Sequence, residues 1–264
     1  MPDYGGKVIY SCADEHGVID VVDEPTARSM HFGTEARQST MFLHDHKALA
    51  LVYTHCMMTC LLFDPQPHSV LILGLGGGSL AKFLLHRFPS CNIDVVEMRQ
   101  KVIELARTHF YLSEAPRLQI YNMDAAAFLH SDAPGFYDLV LVDIHDRDGM
   151  ANAVGERSFF MACRQRLSAR GILAVNLWSG AREEELRKVM NNLWYSFAQQ
   201  VLRLPVAGKR NCIALAFKDA LPQGQRKLLR RRAAELEADL HIEFPDLLRE
   251  LERANPRVLK SRYI

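Results

Sequence analysis

Apolar and polar positions follow two periods along this chain, and the change from one to the other marks its elements. Up to about residue 43 the apolar runs are short and β-like: Val8-Ile9-Tyr10-Ser11, Val18-Ile19-Asp20-Val21-Val22 and Met30-His31-Phe32-Gly33. Asp14-Glu15-His16-Gly17 separates the first two and reads as a hairpin turn. Residues 45–63 take the helical period, with Leu49, Val52, Tyr53, Cys56, Met57, Cys60 and Leu61 at three- and four-residue spacing. Asp64-Pro65-Gln66-Pro67 then breaks the chain. From Ser69 strands and helices alternate. Strands are predicted at 70–73, 92–96, 118–121, 138–142 and 171–176, and helices at 79–88, 99–110, 124–130, 156–168 and 182–198. Two further β runs, 201–204 and 212–217, have no helix between them and predict a closing antiparallel hairpin. The pattern predicts an α/β protein with a parallel sheet covered on both faces. It divides into an N-terminal β-strand module at 1–43, a Rossmann-like domain at 44–220 and a charged helical tail at 221–264.

Composition narrows the setting. The chain has 264 residues, 48% of them apolar, enough for a sizeable core. A formal net charge of +1 points to neither a nucleic-acid nor a membrane partner. No apolar run approaches the roughly 20 residues that span a bilayer. Met1-Pro2-Asp3-Tyr4-Gly5-Gly6 lacks the pattern of a signal peptide. Six cysteines without a CxxC pair suit a reducing compartment, so a cytoplasmic protein is expected. The basic run Arg226 to Arg232 has Leu228 and Leu229 within it and reads as a solvated helix face rather than a nucleic-acid patch.

The chemistry gathers at predicted strand ends. Val70-Leu71-Ile72-Leu73 runs into Gly74-Leu75-Gly76-Gly77-Gly78-Ser79, a glycine-rich turn that opens a helix. Glycines let a backbone approach a ligand closely, and the helix offers free N–H groups. The second strand ends in Glu97, which is 23 residues after Gly74 and placed to accept hydrogen bonds from ribose hydroxyls. The third strand leads to Asp124, an N-cap that is also suited to an adenine amino group. The fourth leads to Asp143-Ile144-His145-Asp146-Arg147-Asp148. Three readings of that loop are open: a divalent-metal site, a solvated acidic loop, and an acidic floor for a cationic amine. The last is preferred, because an amine nucleophile has a pKa near ~10 and must lose a proton to attack. No metal is expected.

These residues together resemble the spermidine/spermine synthase family, a branch of the class I AdoMet-dependent transferase fold. The resemblance extends from the β module to about residue 218. It is carried by Gln38-Ser39-Thr40-Met41, Tyr53-Thr54-His55-Cys56-Met57-Met58, the glycine turn, Val96-Glu97, Met123-Asp124-Ala125 and the Asp143-x-x-Asp146 loop. It implies a class I AdoMet-methyltransferase-like sheet and transfer of an aminopropyl group from decarboxylated S-adenosylmethionine to a polyamine. It also implies that Gly74, Gly76, Gly77, Gly78, Glu97, Asp124 and Gln38 bind the donor. Asp143 would be the base and Asp146 the amine holder, with Tyr53 and His145 facing the acceptor. A homodimer is implied as well.

Two departures are visible. The family turn reads GGGDG, and this chain has Gly76-Gly77-Gly78-Ser79-Leu80. The Asp replaced by Ser79 is the one that meets the amino end of the decarboxylated donor in the family. The family acidic loop reads D-[ST]-[ST]-D-P, and here only the two acids match. Some relatives with a GLGGGSL turn resemble methyltransferases that use S-adenosylmethionine itself. Methyl transfer to an amine is therefore the alternative, and a non-catalytic ligand- or RNA-binding protein a second one.

Overall fold

The computed structural model describes residues 2–132, 135–146, 149–150, 152–178, 183–221 and 224–256. The chain opens with β1 (Lys7–Asp14), β2 (Gly17–Asp23), β3 (Ala27–His31) and β4 (Arg37–Phe42), which form an antiparallel sheet in that order. Asp14 pairs with Gly17 across the predicted hairpin turn. Ile19, Val21, Met30 and Met41 of this sheet, and Phe32 just after β3, are buried in the same core as the larger sheet. β4 is a fourth strand that the three apolar runs did not announce, because Arg37-Gln38-Ser39-Thr40 carries no apolar alternation.

The helix expected over 45–63 is shorter. Only α1 (Val52–Met57) is α-helical, and a 3-10 turn follows over Met58–Leu62. The Asp45 carboxylate accepts the N–H groups of Lys47 (3.0 Å) and Ala48 (3.2 Å), a local turn that competes with helix. At the other end the Thr59 hydroxyl donates to the Cys56 carbonyl at 2.6 Å.

The alternating elements follow as β5 (Ser69–Leu73), α2 (Ser79–Arg87), β6 (Asn92–Glu97), α3 (Gln100–Thr108), β7 (Leu118–Asn122), α4 (Ala125–His130) and β8 (Tyr137–Val142). Two short strands, β9 (His145–Asp146) and β10 (Gly149–Met150), pair with each other. Next come α5 (Arg157–Arg166), β11 (Leu167–Trp178), α6 (Glu183–Ser196), β12 (Val201–Pro205) and β13 (Asn211–Phe217). The large sheet runs β12-β13-β11-β8-β5-β6-β7. Its β7, β6, β5, β8 and β11 are parallel, and β13 lies antiparallel between β11 and β12, which is the predicted closing hairpin.

Alternate residues of the central strands enter two cores. Val70, Ile72, Leu139 and Leu141 face one side, and Leu71, Leu73, Val140 and Val142 face the other. A sheet buried on both faces reads as an unbroken apolar run, as these strands do in the sequence. The C-terminal segment packs rather than trails. α7 (Arg226–Leu240) and α8 (Phe244–Ala254) bury Leu229, Ala233, Leu236, Phe244, Leu248 and Leu251 in the first core. Arg232 donates to the carbonyls of Leu62 and Phe63, and the exposed Arg230 and Arg231 form the solvated face. Among the described residues no helix is long and apolar enough to cross a membrane.

Candidate active site

Strand order reverses between β5 and β8: the chain leaves β5 toward β6 and β7, then returns to place β8 on the other side. The ends of strands at such a reversal form a crevice where ligands bind. A cavity of about 290 Å³ opens there, near the lower end of the range for small-molecule sites. It is lined by Gln38, Tyr53, Gly74, Gly76, Glu97, Asp124 and Asp143 among others. Seven of the residues singled out from sequence are thus brought together from β4, α1 and the ends of β5, β6, β7 and β8.

The turn after β5 is shaped by its own neighbours. Gly74 has φ +97°, and a side chain there would collide with the Asp143 carbonyl. The strand ends therefore touch only because position 74 has no Cβ. A Cβ on Gly77 would stand 2.7 Å from Phe110 and 2.9 Å from the Ser39 hydroxyl. Gly78 has φ +72° and packs on Leu112. Gly77 and Gly78 support the turn from behind, while Gly74 and Gly76 line the cavity.

Glu97 uses both oxygens locally. Its Oε2 accepts the Leu75 N–H at 3.0 Å, and its Oε1 accepts the Arg99 N–H at 2.9 Å. Each oxygen keeps a further lone pair for a hydrogen-bond donor in the cavity. Burial raises the Glu97 carboxyl above its ordinary pKa, and the Arg99 and Leu75 N–H groups work against that rise. Asp124 caps α4 by accepting the Ala127 N–H at 2.9 Å, which engages one of its two oxygens. The N-cap role and a role toward a ligand are compatible.

Asp143 follows β8, and its N–H donates to the Leu73 carbonyl at 2.8 Å. The Tyr53 hydroxyl donates to its Oδ2 at 2.9 Å, and the Asn176 amide donates to its Oδ1 at 2.9 Å. Burial, reinforced by the Asp143 carboxylate, holds the Tyr53 hydroxyl well above its ordinary pKa, so it stays a donor. His145 and Asp146 are placed by backbone only, in β9 opposite Met150 and Gly149. Arg147 and Asp148 lie outside the described residues.

Several residues at the cavity were not foreseen. His16 and Phe32 reach it from the N-terminal sheet, and Phe159 from α5. Arg99 joins the two sheets: its guanidinium bonds both Asp14 oxygens and the Gly17 carbonyl (2.9 Å), and lies 4.4 Å over the Phe32 ring. Asn176 had a signal, since it interrupts the apolar run Ile172-Leu173-Ala174-Val175 and is 2% exposed. Ser79 donates to the Thr40 carbonyl at 3.3 Å and lies 3.5 Å from the Ser39 hydroxyl, so this end of the turn is polar and uncharged.

The seven-strand order, the glycine turn and the strand-end acids define a class I methyltransferase-like fold. Comparison with known proteins narrows this. A Spermine/spermidine synthase domain model matches residues 51–201. The polyamine aminopropyltransferase of Chromobacterium violaceum is 33% identical over 238 residues, covering 90% of each chain. A probable spermidine synthase from Corynebacterium glutamicum superposes with a TM-score of 0.71 at 19% identity, over 86% of this chain and 87% of that one. Human methyltransferase-like protein 13, in complex with SAH, superposes with a TM-score of 0.59 at 25% identity, over 72% and 89%. The chain belongs to the spermine/spermidine synthase family.

Proposed function

We propose that this transferase moves an aminopropyl group from decarboxylated S-adenosylmethionine to an amine nitrogen of a polyamine. The observation that carries this is Asp143, held by Tyr53 and Asn176 in the same cavity as Glu97 and Asp124. The 33%-identical relative named polyamine aminopropyltransferase, aligned over 90% of each chain, supports it. The cavity fits an adenosyl group in character: Glu97 has lone pairs for a ribose, Asp124 has an oxygen beyond its cap, and Gly74 and Gly76 leave room beside the turn.

The sulfonium donor supplies an electrophilic carbon and a neutral thioether leaving group. The protein has little bond chemistry to perform beyond positioning and deprotonation. Glu97 and the turn at Gly74, Gly76, Gly77 and Gly78 fix the ribose end, Asp124 the adenine end, and Gln38 and Tyr53 form the wall. Asp143 attracts the acceptor ammonium and takes its proton. The nitrogen lone pair then forms the new C–N bond as the C–S bond breaks. Asp146 and His145 are assigned to the acceptor by their place in the loop. Removing the base as Asp143→Asn should lower turnover about 10²-fold or more. Mass spectrometry should find methylthioadenosine and an aminopropylated amine with the native chain. Unchanged product formation by the variant sinks the proposal.

Ser79 favours a second reading, S-adenosylmethionine-dependent methyl transfer to an amine. Its neutral hydroxyl presents no charge to a donor carboxylate at that end of the turn. S-adenosylhomocysteine as the product, with binding of S-adenosylmethionine alone in calorimetry, would select it over aminopropyl transfer.

A further inference from the structure

Asp143 lies at one end of a line of side chains that crosses the sheet. Asn176, from the adjacent β11, donates its amide N–H to Asp143 Oδ1 at 2.9 Å. Asn176 Oδ1 in turn accepts the amide N–H of Asn211, from β13 on the far side of β11, again at 2.9 Å. Asn176 is 2% exposed, and its neighbours Val175 and Leu177 are fully buried. A polar amide at such a place is costly unless it is bonded at both ends. Here it is, and the bonding fixes its direction. Turned over, Asn176 would set its carbonyl oxygen against a carboxylate oxygen and its N–H₂ against the Asn211 N–H₂.

We propose that Asn176 and Asn211 are positioning residues that aim the Asp143 carboxylate into the cavity and keep it in its ionised, proton-accepting form. Asn176 does the first by holding Oδ1 in place while the Tyr53 hydroxyl holds Oδ2. It does the second because donors that bond a carboxylate favour its charged form. Asn211 acts one step removed, by preventing the Asn176 amide from turning over. Neither amide needs to touch the substrate. The inference rests on Asp143 being the base.

The test is Asn176→Asp, which keeps the shape of the side chain and replaces the donor by a second carboxylate. Two acids so close hold a proton between them. The acid limb of the kcat/KM profile should therefore move upward by about one pH unit or more, so that activity measured below the native limb falls about tenfold and recovers as the pH rises. The donor KM should stay within about twofold of the native value, since the adenosyl contacts are elsewhere. Asn211→Ala should move the same limb in the same direction by less. That variant keeps the proposal testable if Asn176→Asp folds poorly. Asp143→Asn is assayed beside them. If it is inactive while Asn176→Asp and Asn211→Ala keep the native pH profile, the amides only fill space and this inference is overturned. If Asp143→Asn is fully active, the assignment of the base fails first, whatever the amide variants do.

Discussion

The Arg99 guanidinium holds Asp14 by two hydrogen bonds, Nη2 to Oδ1 at 2.7 Å and Nε to Oδ2 at 3.0 Å. The two side chains are 8% and 9% exposed, so water screens the pair poorly. Arg99 also gives its backbone N–H to Glu97. One residue thus ties the Glu97 carboxylate to the hairpin that carries His16 at the cavity. Asp14→Asn should raise the donor KM about tenfold with a smaller change in kcat, and cost roughly 3 kcal/mol by leaving the poorly screened Arg99 charge without its carboxylate. Burial alone would lift the Asp14 carboxyl, but Arg99 and the His16 N–H outweigh it and hold the pKa below 3.8. The stabilisation is therefore whole above the ordinary carboxylate range and fades as the pH falls through the lowered value. The gap between the native and variant urea midpoints should be full at neutral pH and narrow as the pH falls below about 3.

Glu97→Gln should weaken donor binding about tenfold or more, because the amide offers one acceptor oxygen where the carboxylate offers two charged ones. Burial raises the Glu97 carboxyl, so protonation begins above the ordinary glutamate range. Calorimetry across pH should show native donor affinity falling on acidification from that higher point. The variant should lack that dependence.

Gly74→Ala places a methyl group against the Asp143 carbonyl at a backbone φ of +97°. Relief requires the ends of β5 and β8 to separate. The loss of stability should be roughly 3 kcal/mol or more. Turnover should fall even at temperatures where the variant remains folded. A thermal melt and an activity assay on the same sample check both.

Lys82 on α2 is 7% exposed and donates to the Phe110 carbonyl at 2.6 Å and to Met41 Sδ at 3.2 Å. Burial lowers its pKa to about 8. An unfolded lysine titrates near ~10.4, so between these values the unfolded chain binds more protons and stability rises with pH. The native chain should gain on the order of 3 kcal/mol from this group between pH 7 and pH 10, and Lys82→Met should not. Urea titrations at the two pH values measure the difference. A parallel rise in both chains would mean the gain comes from other groups.

Much of the large sheet was readable because its strands are apolar on both faces and each ends at a recognisable turn. The glycine turn, Glu97, Asp124 and Asp143 were readable because each comes at or just after the end of a predicted strand, where the ligand-facing polar groups of an open α/β sheet gather. β4 was not, since its buried Ser39 and Thr40 are polar and break the alternation. The start of the helix at 45–51 was overread, since periodicity does not register the Asp45 turn. Arg99, His16 and Asn211 were missed for a different reason. Arg99 lies 85 and 82 residues from Asp14 and Gly17, Asn211 lies 35 residues from Asn176, and His16 lines a cavity whose other walls are distant in sequence, so no local pattern marks them.

Gly74 and Asp143 meet backbone to backbone, and the N–H of Asp143 is bonded to Leu73, the residue before Gly74. The proposed proton acceptor and the turn proposed to hold the donor are consequently backed by one continuous piece of sheet. Thermal motion that displaces the turn carries the carboxylate with it, so their spacing is set when the sheet folds and not when substrates arrive. Under the proposed reaction, donor and acceptor are then aligned against one frame that is already registered, rather than against two parts that must first be brought together.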